Sequence, residues 1–129
     1  MSTNNYKHLS VSKLLIEARK AVHLYIRKRD ADKPCISCGN FYGPKDPGHY
    51  YKAETHSQLR FNTDNIFLQC QKCNGYKDGN LKAYREALEA NLTPIKLKKL
   101  DEAAAAARQN TLFKWDRQDL IEIIKKYKS

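Results

Sequence analysis

Hydrophobic positions recur at helical spacing near both ends of the chain and lose that rhythm in the middle. Leu15, Ala18, Val22, Tyr25 and Ile26 share one face, which predicts a helix from a cap at Ser12 to about Arg29. Arg19, Lys20, Arg27 and Lys28 lie mostly off that face. After Gly79, Asn80 is positioned to cap a second helix with Leu81, Tyr84 and Leu88 in register. Thr93-Pro94 predicts the start of a third, because proline suits the first helical position; it runs to about Arg108 and buries Leu97, Leu100 and Ala104. Asp116 with Asp119 has the look of a capping box for a last helix over 117–128, burying Leu120, Ile124 and Tyr127. Between these helices, residues 33–80 hold all the cysteines, most of the glycines and Pro34, Pro44 and Pro47. Short strands are expected there at Gly48–Ala53 and Ile66–Gln69. The expected organisation is a flexible N-terminus over 1–11 and a single α+β domain over 12–129. Within the domain, a helix spans 12–29, a metal-organised core 33–85 and C-terminal helices 86–129.

Charge narrows the partners. The 129 residues include 24 Lys and Arg against 14 Asp and Glu, a formal net charge of +10. Such an excess suits a polyanion, with nucleic acid the default, although solubility alone also accounts for a basic surface. No apolar run is long enough to span a membrane, and MSTNNYKHLS has no signal-peptide core, so a cytosolic location is expected. In that compartment, four cysteines favour metal over disulfides.

The cysteines form two knuckles, Cys35-Ile-Ser-Cys38 and Cys70-Gln-Lys-Cys73. Each sets two thiolates on one side of a tight turn, and two such turns make the tetrahedral set that zinc prefers. Four protein ligands leave no open position, so the expected zinc is structural. The long spacer, Gly39–Gln69, means that something is built between the knuckles.

That spacer carries Asp46-Pro-Gly-His49-Tyr50 and then Asn65, while Asn74 stands directly after Cys73. Hydrolysing a phosphodiester takes a base for water, a metal to absorb charge and groups that hold the phosphate. A neutral histidine serves as base, and Asp and Asn oxygens suit Mg²⁺. Asn74 would be held in place by the metal–thiolate bond of its neighbour.

The ordered strings PCISCG, PGHY, QLRFN, NIFLQCQKCN, KDGN and YR resemble the NinG/Rap recombination endonucleases of bacteriophages, most closely over Pro34–Arg85. The wider pattern resembles the ββα-metal, or HNH, nuclease unit. The resemblance implies a small zinc-stapled HNH core flanked by helices. It further implies magnesium- or manganese-dependent cutting of branched DNA such as Holliday junctions or D-loops. Carried over by position, Cys35, Cys38, Cys70 and Cys73 become zinc ligands and His49 the general base. Asn65 becomes the residue that braces the hairpin and orients the base, and Asn74 the catalytic-metal ligand. Two departures stand out. Gly48 occupies the place where many HNH enzymes have Asp, so Asp46 is the substitute carboxylate; and Asn74 replaces the usual final His. Set against the resemblance, the basic, cysteine-containing N-terminal extension of longer relatives is expected to be missing here.

Lys52, Arg60, Lys77 and Arg85 are the expected phosphate contacts, with Lys77 and Arg85 preferred because they follow Asn74 closely. Tyr50, Tyr51 and Tyr76 are candidates for stacking on unpaired bases, or for packing. His23 is expected on the rim of the first helix and His56 is expected to be structural. Cutting both strands of a junction would favour a homodimer. The competing functions are a non-catalytic zinc module that binds DNA or protein, and an HNH nuclease of another type.

Overall fold

The computed structural model describes residues 6–76 and 79–128. The order is helix α1 (Val11–Arg29), strand β1 (Lys45–His49), strand β2 (Ile66–Cys70), α2 (Leu81–Asn91), α3 (Pro94–Gln109) and α4 (Arg117–Tyr127). Helices thus surround one two-stranded sheet, an α+β arrangement. No helix among the described residues is long and apolar enough to cross a membrane.

β1 and β2 are antiparallel, with Asp46 opposite Gln69, Gly48 opposite Phe67 and His49 opposite Ile66. Every residue of β2 is buried, because both sheet faces are covered. Ile66 and Leu68 enter a cluster with Leu14, Ala18, Val22 and Ile26 of α1 and Leu120, Ile121 and Ile124 of α4. Phe67 enters a second cluster with Tyr84, Leu88, Leu97, Leu100 and Ala104 of α2 and α3. Alternation along the strand sends successive side chains to opposite faces, so one five-residue strand joins two cores. Pro47 is tolerated because its partner Leu68 turns its own backbone outward, to the Asp30 carboxylate and the Ile36 amide. Tyr84, fully buried, accepts from Phe67 N–H at 3.0 Å and donates to Gly48 C=O at 2.7 Å, fastening α2 to the hairpin.

The end of α1 is latched to β2. Arg29 pairs with buried Asp30 at 2.8 Å, donates to the carbonyls of Thr63 and Ile66, and lies 4.3 Å over the Phe67 ring. Without Arg29 the buried Asp30 keeps, among the described residues, only the more distant Lys33, at 3.8 Å, as counter-charge, and weakening a buried pair in this way is costly. We expect Arg29→Ala to lower stability by about 3–5 kcal/mol, read from urea unfolding. A loss below about 1 kcal/mol would reduce the latch to a surface pair.

Several expectations are corrected. The cap of α1 is Ser10, not Ser12: its side chain accepts from Lys13 N–H, and Leu14 and Ala21 are buried where Tyr25 is exposed. The flexible N-terminus expected over 1–11 is packed from Tyr6 onward, because Arg117 donates to the carbonyls of Tyr6, Lys7 and Leu9; residues 1–5 lie outside the described residues. The first strand is Lys45–His49, not Gly48–Ala53. It stops there because the buried side chain of Asn65 captures both backbone groups of Tyr51. Asn80 does not cap α2 with its side chain; it is left-handed, at φ 43°, and its Nδ2 points to Cys73 Sγ at 3.5 Å. The predicted starts of α3 and α4 agree, with Thr93 and Asp116 each accepting a first-turn amide.

Candidate metal centre and the cavity beside it

Two turns assemble the cysteines. In the first, Cys38 N–H points to Cys35 Sγ at 3.5 Å and Gly39, at φ 77°, reverses the chain. Ile36 N–H donates to Leu68 C=O, docking this knuckle on β2. The second knuckle leaves the end of β2, with Cys73 N–H at 3.4 Å from Cys70 Sγ. All four sulfurs lie within 4.8 Å of one another, and Cys38 and Cys70 are 3.7 Å apart. A tetrahedron of thiolates at about 2.3 Å from zinc has edges of about 3.8 Å. Burial, with the neighbouring Cys70 and Cys38 thiols adding to it, pushes the Cys73 thiol up to about 12, so a bare cluster resists ionising fully. A cation at the centre would supply the missing charge. The set is thus fit to hold a structural metal such as zinc. Among the described residues it is the one group of three or more His, Cys, Asp or Glu side chains drawn together this closely.

His49 ends β1 and lines an open cavity of about 780 Å³. Its Nε2 stands 2.9 Å from the Arg60 carbonyl. A carbonyl only accepts, so Nε2 carries the proton and Nδ1 keeps a lone pair. Burial holds the imidazole below its ordinary pKa, against the pull of the Arg60 carbonyl, so His49 is neutral near pH 7. Asn74, Arg60 and Lys52 also line the cavity. Asn74 is exposed, in the single wide turn Lys72–Tyr76 that closes the second knuckle and contains Cys73.

The remaining predicted residues lie elsewhere. Asn65 does not line the cavity: fully buried, it accepts from Tyr51 N–H at 2.8 Å and donates to the carbonyls of Tyr51 and Leu59. It therefore pins the loop that carries Tyr51 to the base of β2. Asp46, three residues before His49 and so on the other strand face, is outside the lining; Arg27 at 2.9 Å and Gln71 at 3.3 Å hold its carboxylate. A Cβ at Gly48 would come within 2.0 Å of Gln69 Oε1, so a larger residue there would displace the buried Gln69 side chain. Arg85, a preferred phosphate contact, is instead a bidentate partner of Asp101 at 2.8 and 2.9 Å. That pairing saturates the guanidinium fork and, with Arg85 as the main cause, holds the Asp101 carboxyl below its usual range. Tyr50 and Tyr51 pack edge-on against each other, and the Tyr51 hydroxyl donates to Asp101. His56 is tied to Thr55 and Arg108. Lys77 and the side chain of Tyr76 lie outside the described residues.

The sequence matches the family model described as Bacteriophage Lambda NinG protein over residues 5–129. The chain belongs to the NinG family. It is 49% identical over 73 residues to Protein ninG of Escherichia phage lambda, and 48% identical over 73 residues to the proteins of that name from Salmonella phage P22 and Escherichia phage 933W. In each case the match covers 56% of this chain and 36% of the relative, so the chain spans about a third of the length of these relatives. No solved structure matches.

Three ionisable residues that line the cavity of this NinG family chain had no part in the expected site: Arg19 and His23 of α1, and Glu54. The His23 and His49 ring centroids are 6.1 Å apart. Burial, followed by the field of Arg19, lowers the His23 pKa to about 4. Helical spacing put both α1 residues off the apolar face, which was the one available signal. Glu54 carried none, because its place depends on the loop that Asn65 pins.

Proposed function

We propose that this chain is a zinc-stapled, HNH-type DNA endonuclease that uses a divalent ion and prefers branched recombination intermediates. The observation that carries this reading is the setting of His49. Its Nε2 is anchored on the Arg60 carbonyl, and the cavity it lines is also lined by Arg19, Lys52 and Asn74. A histidine so fixed has one free nitrogen to accept a proton, in a cavity that favours an anion.

In this reading His49 Nδ1 takes a proton from the attacking water, whose oxygen bonds to phosphorus. The bond from phosphorus to the 3′ oxygen breaks and that oxygen takes a proton from solvent water, leaving 5′-phosphate and 3′-hydroxyl ends. Arg60 and Arg19 hold the phosphate. Magnesium or manganese, when bound, stabilises charge on the phosphate and the departing oxygen; it keeps several waters and needs few protein ligands. Asn74 supplies one. The resemblance assigns a second ligand to Asp46, a carboxylate that Arg27 and Gln71 hold, whereas Glu54 lines the cavity. We therefore expect Asn74→Ala and Glu54→Gln to raise the Mg²⁺ concentration needed for half-maximal cutting more than Asp46→Asn does. A magnesium titration of the three variants decides this, and the opposite order returns the role to Asp46.

The activity is tested with synthetic four-way junctions and linear duplexes of equal length, with Mg²⁺ or Mn²⁺. Faster cutting of junctions is expected; equal rates would leave a general nuclease, and no cutting of either would leave a zinc-containing binding module. The host bacterial cytosol is the setting this function implies, and paired cuts across a junction would be met by a homodimer.

A further inference from the structure

The cavity does not end at His49. Arg19 and His23 also belong to a shallow groove along α1, lined further by Ile16, Lys20, Leu24 and Arg27. These residues follow one another at spacings of three and one along the helix, a single stripe. It lies opposite the buried stripe of Leu14, Ala18, Ala21, Val22 and Ile26. The stripe mixes cations with large apolar groups left in water, Ile16 being 52% and Leu24 48% exposed. Single exposed apolar residues are ordinary on a surface, but here Ile16 and Leu24 share one groove with Arg19, Lys20 and Arg27. Arg19 has no carboxylate partner among the described residues, and Lys20 has only the exposed Glu17, at 3.7 Å. Surface pairs of that kind contribute little, so both cations are available to an anion.

We propose that this stripe of α1 is the track along which a DNA strand leaves the His49 cavity, with Arg19 at the junction of the two. The alternation fits one occupant, a phosphodiester strand with unpaired bases: cations meet phosphates, while Ile16 and Leu24 meet sugars and base faces. A fully paired duplex hides its base faces, so the track favours DNA that is open near a branch. The inference rests on reading the cavity as a phosphodiester site, but its test does not depend on cutting.

Binding of a labelled four-way junction, a labelled linear duplex and a labelled single strand is measured by anisotropy with the full chain, across a range of salt, without added Mg²⁺. Lys20→Ala removes an exposed cation that lines the groove and not the cavity. Lys99→Ala removes an exposed cation of α3 and matches the change in net charge. The track predicts that the α1 variant loses about tenfold in affinity per lost contact near 0.1 M salt and that its salt slope falls by nearly one per contact. The α3 variant should stay within about twofold of the parent protein. Ile16→Ser/Leu24→Ser should weaken the single strand more than a linear duplex. Equal losses in the α1 and α3 variants, or no loss in either, would overturn the track. Wild-type protein that never cuts, yet shows the α1-specific loss, would overturn the nuclease reading and leave the track standing.

Discussion

His49→Ala protein should bind junction DNA, keep its metal and fold as the parent does, and cut about a hundred- to ten-thousand-fold more slowly. The imidazole donates one hydrogen bond, to the Arg60 carbonyl, and that carbonyl is near enough to the cavity to find water when the ring is gone. The structural cost is therefore small, and the loss is that of a proton acceptor. Single-turnover cutting separates this from a binding defect. A variant that cuts at the parent rate would remove His49 as the base. The pH profile adds an independent reading. Burial holds His49 below the ordinary histidine value, so it stays neutral as pH falls through 6.5, and cutting should decline only at lower pH. A rate that halves at or above pH 6.5 would place the active base elsewhere.

Replacing any of Cys35, Cys38, Cys70 or Cys73 with serine should have the largest effect on the fold. Structural zinc contributes on the order of 10–16 kcal/mol in small zinc peptides near neutral pH, comparable to the whole of a domain's usual margin of about 5–15 kcal/mol. Here the knuckles hold the ends of the chain segments that make the site. The first is docked on β2 through Ile36, and the second places Asn74. Loss of the metal would leave the buried sulfurs of Cys35, Cys70 and Cys73 facing one another, with Asn80 Nδ2 near one of them. The expected result is one metal ion per chain by elemental analysis, and loss of the near-ultraviolet signal with a strong chelator. Helical signal should persist in part, because α1 and α4 share their own apolar cluster. Folded protein that carries no metal would refute the staple.

Local chemistry was legible in the sequence. The CxxC spacing sets two sulfurs on one turn whatever the rest of the chain does. Thr93-Pro94 and Asp116 start helices by satisfying their own first-turn amides, and those starts stand in the structure. Ile66–Gln69 reads as a short apolar run, and β2 is that run with one residue added. A resemblance in ordered strings was enough to point to the family to which the chain belongs.

What tertiary structure decided are the matters that depend on two distant segments meeting. Arg85 reads as a free cation beside Asn74, yet α3 brings Asp101 to it and saturates its fork. Asp46 and His49 are close in sequence, but strand alternation parts them, and Arg27 of α1 claims the carboxylate. Arg19 and His23 read as surface because periodicity reports only which helix face meets the nearest core. That α1 also lies beside the end of β1, bringing His23 within 6.1 Å of His49, is settled by the way the Arg29–Asp30 latch and the α1–α4 cluster seat the helix. Sequence spacing determines which groups can share a turn or a face. Only packing decides which of them remain unpartnered in a cavity, because a charge is spent by whichever opposite charge the fold carries to it.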